Sequence, residues 1–304
     1  MVKVLVVAGS GREAGEALGA IQAEAVVLAY GKAAEEASAI AEYGVKVYKL
    51  STTNPELVFE AAKKLFEEAK PDLILGVSTK NAKDSLSRLA GAYDLPMATE
   101  AIEVSVGDGF VTYKRSILSA KAVAVEKAPL PAVLLLAPRK FKPPEKKGGG
   151  SVEEFSVSVE PKQKTLEVKE KQKGGVNLEE AEIIVSVGRG FKKKEDLKLA
   201  FELADVLGAQ IGCSRPIAAD LKWLSEDHWV GLSGKKVAPK GYIAIGISGA
   251  PQHLAGITDA KIVVAINKDK TAPIFKNADY GVVADLYEFV PILIKKIKER
   301  KGQA

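Results

Sequence analysis

The sequence predicts an α/β protein of two domains, the first built on a parallel sheet and the second a parallel sheet of more regular pattern. Short apolar runs of strand length recur along the chain, helical runs alternate with them, and glycine turns follow several of them directly. At 304 residues the chain is long enough to fill two cores.

The first domain opens with a strand over residues 2–8, then a Gly-Ser-Gly-Arg turn into an alanine-rich helix. Further strands are predicted at 25–29, 45–49, 73–77 and 133–136, with helical runs such as 55–69 between the earlier ones. Gly9, Gly11 and Gly15 lack the GxGxxG spacing of a dinucleotide fingerprint, and read as a plain tight turn. A phosphate loop is absent too, since Gly234-Lys235 is followed by Lys236. Two segments are rich in breakers and charge, 143–150 (PPEKKGGG) and 171–177 (KQKGGVN). Residues 152–159 still alternate as a strand and belong to the first sheet, so the boundary falls in the second segment. The expected domains are therefore 1–175 and 176–304, with 143–150 a mobile loop inside the first.

From Glu179 onward the pattern sharpens, with strands at 183–187, 210–213, 242–247, 261–266 and 280–284. The helix predicted over 194–207 has Glu195 and Asp196 in its first turn and Leu197, Ala200, Phe201, Ala204 and Leu207 on its apolar face. Gly208 ends it. Immediately after the five strands stand Arg189 between two glycines, Ser214-Arg215, Ser248-Gly249, Asn267 and Asp285. Carboxyl ends of parallel strands share one edge, and ligands bind there. Arg189 and Arg215, with the helix start after Ser248, supply positive charge for a pyrophosphate. Asp285 suits ribose hydroxyls and Asn267 both donates and accepts. In the segment GISGAPQHLAG (246–256), Pro251 fits a first helical turn and His253 stands one turn in, available to a redox ring. Donors spread over so many strands fit a dinucleotide better than a mononucleotide.

Composition excludes several classes. Hydrophobic content of 47% and charged content of 27% are those of an ordinary soluble protein, and no apolar run approaches the roughly 20 residues of a membrane span. Met1 leads straight into a strand with no signal-peptide pattern, so a cytoplasmic location is expected. The single cysteine, Cys213, rules out an internal disulfide, and two histidines beside it argue against a metal site. Net charge is +5, but the lysine-rich stretches 162–173 and 295–301 carry no interleaved aromatics. They read as solvated faces rather than a nucleic-acid platform.

The segments GRG (188–190), SRPIAAD (214–220), VGLSGKKVAP (230–239), GISGAPQHLAG and INKDKTAPIFKNADYGVVADL (266–286) resemble the C-terminal domain of electron transfer flavoprotein alpha subunits. LILGVSTKNAKDSLSRLA and APRKFKPPEKKGG extend the resemblance, more weakly, into the first domain. The resemblance implies a C-terminal Rossmann-like FAD-binding domain, an N-terminal α/β domain without its own nucleotide that serves subunit interaction, and a separate beta subunit. By the same resemblance Arg189 faces the adenosine and pyrophosphate side of FAD, while Ser248, Gly249 and Ala250, followed by Pro251, hold the pyrophosphate and ribityl region. Asn267, Asp285 and Leu286 lie around the adenosine, Ser214 and Arg215 beside the isoalloxazine, and Gln252 and His253 on its pyrimidine side. Val230, Gly231, Leu232 and Ser233 form the ring-contacting loop. That loop commonly reads VGQTG in the family, so Leu232 removes a hydrogen-bonding side chain, whereas Ser233 keeps a hydroxyl for the flavin.

The implied role is an electron carrier between dehydrogenases and a membrane quinone oxidoreductase or similar acceptor, not a substrate-transforming enzyme and not itself embedded in the membrane. Arg215, Ser233 and His253, the last either protonated or donating toward the ring, would tune the flavin. Three alternatives stay open at this point: a subunit of an electron-bifurcating complex that uses NADH, an NAD-binding enzyme domain, and a non-redox scaffold that retains only the fold.

Overall fold

The computed structural model describes residues 2–118, 122–163 and 176–302, and the chain divides into two compact units, Met1–Lys169 and Glu170–Ala304. Residues 171–175 of the expected linker lie outside the described residues, as do the lysines from 164 onward in the first charged stretch.

In the first unit β1 (Lys3–Ala8), α1 (Gly11–Ala20), β2 (Glu24–Tyr30), α2 (Lys32–Glu35), α3 (Ala37–Ala41), β3 (Lys46–Leu50), α4 (Pro55–Ala69), β4 (Leu73–Val77) and α5 (Lys80–Ala92) alternate as the sequence predicts. There follow β5 (Met97–Gly107), β6 (Phe110–Ile117), β7 (Ala122–Pro129), β8 (Ala132–Leu136) and β9 (Ser151–Glu154). The sheet order is β7-β6-β5-β8-β4-β1-β2-β3-β9, parallel from β5 to β9 and antiparallel through β5, β6 and β7. β4 and β8 are buried at every residue, as continuous apolar strands between two helix layers must be. One layer contains α1 and α3, the other α4 and α5. Ser10, Asn54 and Thr79 cap α1, α4 and α5 by accepting from backbone N–H groups.

The turn at Gly9 and Gly11 is closed by the unit's own acids. Gly9 N–H donates to Glu13 Oε2 at 2.9 Å and Gly11 N–H to Glu36 Oε2 at 2.6 Å. Burial raises the pKa of Glu13.

Residues 143–150 form an irregular, mostly exposed connection from β8 to β9 with a few contacts to the unit: Lys147 and Gly148 donate backbone hydrogens to Glu42 O, and Pro143 lies against Gly15. One expectation needs correction. The strand expected over 152–159 is only β9, four residues long; Phe155 and Val157 beyond it still pack on the α4 and α5 layer, which explains the alternation.

The second unit contains β10 (Ile183–Val187), α6 (Lys198–Leu207), β11 (Gln210–Cys213), β12 (Gly241–Ile245), α7 (Pro251–Leu254), β13 (Val263–Asn267), β14 (Tyr280–Val283) and α8 (Leu286–Arg300). Its sheet runs β11-β10-β12-β13-β14, parallel throughout. α6 and α8 cover one face; the other is closed by the segment around Val230 and Val237, by α7 and by the turn at Ile274. The predicted helix over 194–207 begins as a 3-10 turn (Lys194–Leu197) and ends at Gly208 in the left-handed region, φ 65°. Phe201, expected on the inward face, is 42% exposed, and Leu203 is buried in its stead. Among the described residues no helix is long and apolar enough to cross a membrane.

Candidate functional site

Because all five strands of the second sheet are parallel, the residues after them share one edge. β10 is the point of reversal, since the chain leaves it for β11 on one side and returns to β12 on the other. A crevice above such a reversal is the usual place for a ligand.

Its floor is built by backbone contact. Gly188 N–H donates to Ile245 O at 3.0 Å and Gly190 N–H to Gly246 O at 2.9 Å. A Cβ on Gly190 would stand 2.6 Å from Gly246 Cα, and Gly246 itself has φ +64°. No larger residue fits either position without moving a loop. Gly249, at φ +85°, is held equally tightly, because a Cβ there would run into the backbone of Ile274. Ile274 N–H donates to Ser248 O at 3.0 Å, which aligns the turn. The amides of Ser248, Gly249 and Ala250 have no acceptor among the described residues, and the Ser248 and Ala250 side chains are exposed. Consecutive free N–H groups of this kind form an anion-binding nest. α7, opened by Pro251, is a single turn, so the expected helix-start attraction reduces to these local donors rather than a macrodipole.

A second group of residues gathers around His253. Val230 N–H donates to Cys213 O at 2.9 Å, which sets the 230–233 loop beside Ser214 and Arg215. Leu232 N–H donates to Gln252 O at 2.7 Å, and a Cβ on Gly256 would come within 2.5 Å of Gly231 N. The loop is thus fastened to β11 on one side and to α7 on the other. Ser214, Arg215, Val230, Gly231, Leu232, Ser233, Gln252 and His253 are thereby neighbours. Ser233, Gln252 and Leu232 are exposed, and Arg215 extends over Trp229 with its guanidinium 5.9 Å from the ring centre. No ion pair with Asp220 forms among the described residues.

His253 lies in a buried setting. It is 6% exposed, with Nε2 2.9 Å from the Tyr242 hydroxyl. Burial pulls its pKa down to about 4, against a smaller upward pull from the Val230 backbone. Burial therefore favours the uncharged imidazole at neutral pH. Its Nδ1 is buried and makes no hydrogen bond of good geometry, the Val230 backbone being the polar group that acts on the ring. Cys213 is fully buried, its thiol pushed up to about 12 by desolvation, so it is no nucleophile.

The remaining residues divide between structural and open roles. Asn267 Nδ2 donates to Ile247 O at 2.9 Å while its Oδ1 accepts from Asp269 N–H, which ties the ends of β12 and β13 together. Asp285 caps α8 by accepting from Tyr287 N–H at 2.8 Å. Leu286 is buried in the core, leaving only its backbone for a ligand. Arg189 is exposed and makes no ion pair among the described residues. Sequence reasoning missed Trp229, Tyr242 and Ser186. For Tyr242 a signal existed: a tyrosine inside an otherwise apolar, doubly buried strand needs a partner for its hydroxyl.

Taken together, the edge presents a run of free amides and two cationic side chains along successive strand ends. Such a set fits an elongated anionic ligand.

Comparison with known proteins gives two family models, one described as the electron transfer flavoprotein FAD-binding domain, matching residues 177–258, and one as the electron transfer flavoprotein domain, matching residues 5–160. The chain is 40% identical over 255 residues to the electron transfer flavoprotein subunit alpha of Bacillus subtilis, covering 83% of this chain and 78% of that one. It is 37% identical over 287 residues to the subunit of the same name from Syntrophomonas wolfei, covering 91% and 90%. A putative electron transfer flavoprotein subunit from Escherichia coli, YdiR, is 35% identical over 272 residues, with 86% and 87% covered.

Proposed function

The chain belongs to the electron transfer flavoprotein alpha-subunit family, and on that premise we propose that its second unit is a Rossmann-like domain which holds FAD along the carboxyl edge of the five-stranded sheet. The family pairs with a beta subunit, and the first unit, residues 1–175 by the boundary the sequence suggests, serves that pairing. When bound, the flavin supplies the electron chemistry.

The chain's own residues bind, orient and tune. Free amides at Ser248, Gly249 and Ala250 and the Arg189 side chain take the pyrophosphate, while Asn267, Asp285 and the Leu286 backbone flank the adenosine. Ser214, Arg215, the 230–233 loop, Gln252 and His253 surround the ring. Arg215 places a fixed positive charge there; its stacking on Trp229 restrains the guanidinium without neutralising it. Ser233 offers a hydroxyl, and Leu232, 48% exposed, presents only an apolar side chain and its backbone. The observation that carries this reading is the fastening of the 230–233 loop by Val230 N–H to Cys213 O and Leu232 N–H to Gln252 O, which unites three sequence-distant motifs at one place.

The heterodimer works in the cytoplasm, passing electrons from dehydrogenases to a quinone oxidoreductase. Co-expression with the beta subunit tests the reading: the purified complex is expected to be yellow with a single FAD. A colourless complex that binds NAD instead would overturn it, and a second flavin would point to bifurcation. Arg215→Ala is expected to retain FAD but lower its potential for the first electron; an unchanged potential would remove Arg215 from the tuning set.

A further inference from the structure

In the second sheet β12 and β13 stand between β10 and β14, so the loop bearing Arg189 and the strand end bearing Asp285 leave the sheet far apart. Tyr287, in the first turn of α8, joins them. Its hydroxyl accepts from Lys192 N–H at 2.8 Å and donates to Asp196 Oδ2 at 2.6 Å, while its own backbone N–H donates to Asp285 Oδ1 at 2.8 Å. The ring adds packing: buried Phe191 meets it edge-on with centres 6.3 Å apart, and the Lys192 ammonium lies 5.4 Å from its centre.

One phenol oxygen thus gives its hydrogen to a carboxylate and takes one from an amide. Burial and the Asp196 carboxylate raise the pKa of Tyr287, so the hydroxyl keeps the hydrogen it donates. On the other side of Arg189, the Gly188 and Gly190 amides are bound to the carbonyls of Ile245 and Gly246. Arg189, itself exposed, therefore stands between a backbone anchor on the β12 end and a side-chain anchor on α8. A phenylalanine at 287 would keep the ring contacts and lose only the hydroxyl, which makes the two contributions separable.

We propose that Tyr287 is a positioning residue for the adenylate half of the ligand: through Lys192 N–H its hydroxyl holds the 188–192 loop across the sheet edge, so that Arg189 meets the phosphates on the side where Asp285 stands. The proposal rests on the FAD reading for the identity of the ligand, whereas the tether itself does not. Arg215 and the 230–233 loop share none of these hydrogen bonds, so the tether governs affinity and leaves the ring end alone.

The test strips the heterodimer of flavin and titrates it with FAD at low and high salt, in wild type, Tyr287→Phe, Arg189→Ala and the double variant. Tyr287→Phe is expected to bind FAD about fivefold more weakly, the effect of one lost hydrogen bond. Its affinity should depend less on salt, as in Arg189→Ala, and the two losses should not add. The first reduction potential of the bound flavin should stay at the wild-type value. Wild-type affinity would overturn the proposal. So would a loss that adds in full to that of Arg189→Ala or keeps the wild-type salt dependence, since either marks a merely structural role. A shifted potential would overturn the assignment to the adenylate half. Amide exchange at Lys192 in the flavin-stripped complex reads the tether directly: it should be faster in Tyr287→Phe, and unchanged exchange would overturn the tether. Should Tyr287→Phe not fold, Asp196→Ala, which removes the hydroxyl's acceptor and spares the ring, takes its place with the same outcomes. A wild-type complex that takes up no FAD would refute the cofactor reading and leave the exchange result standing.

Discussion

A histidine held neutral inside the protein makes the fold sensitive to acid. Unfolded, His253 takes up its proton near 6.5; folded, it does so only near 4. Between those values the unfolded state binds more protons, so the stabilising effect is complete above the unfolded value and is lost as pH falls toward 4. The loss amounts to roughly 3 kcal/mol. Urea midpoints of the wild type and His253→Gln measured across this interval should converge as pH falls, and parallel curves would show that the ring is not buried neutral. Backbone geometry gives a second expectation at this scale. Gly249→Ala imposes a side chain at φ +85° against the backbone of Ile274, and should cost about 1–3 kcal/mol in a denaturant titration, with loss of FAD. A wild-type midpoint would mean that the turn relaxes freely. The strand-end positions were legible in the sequence because polarity stands out after an apolar run. The partners of His253 were not, since Tyr242 lies eleven residues away on a strand and only the sheet brings its hydroxyl to the ring.

Elements were read most reliably where apolar strands are buried on both faces. β10 to β14 lie within two residues of their expected limits. The antiparallel extension β5, β6 and β7 escaped notice because half of each strand faces solvent, which dilutes the apolar signal. Yet Asp108-Gly109 joins two alternating segments, and both residues have positive φ, 52° and 77°, as a two-residue hairpin turn requires. Arg115 and Glu126 then pair across β6 and β7 through two hydrogen bonds of 2.7 and 2.9 Å. Gly109→Val should destabilise this hairpin by about 1–2 kcal/mol, visible as faster amide exchange in β5 and β6. Exchange unchanged from wild type would contradict the turn assignment. The 230–233 loop, in turn, depends on close approach at Gly256. Gly256→Ala should displace the loop and weaken FAD binding by about tenfold, roughly 1.4 kcal/mol, measured by flavin fluorescence on dilution. Unaltered retention would separate the loop from the ligand.

At the scale of the molecule, the alternation of strands and helices made both parallel sheets legible, while their strand orders were not. A crossover leaves no local mark on the chain, and whether β12 pairs with β10 or β11 is settled by packing over distance. The same holds for segment 143–150, whose composition is that of a free linker and whose place is fixed by Glu42 and Gly15, far away in sequence. The closure of the turn between β1 and α1 by Glu13 and Glu36 has a consequence for which ions this edge tolerates. The Gly9 and Gly11 amides, which elsewhere would draw a phosphate, already carry carboxylates, so an incoming anion meets like charge in place of free donors. Two sheet edges of one chain, alike in polarity of strands and in their glycine turns, are thereby opposite in electrostatic appetite: one receptive to phosphate, the other internally sated.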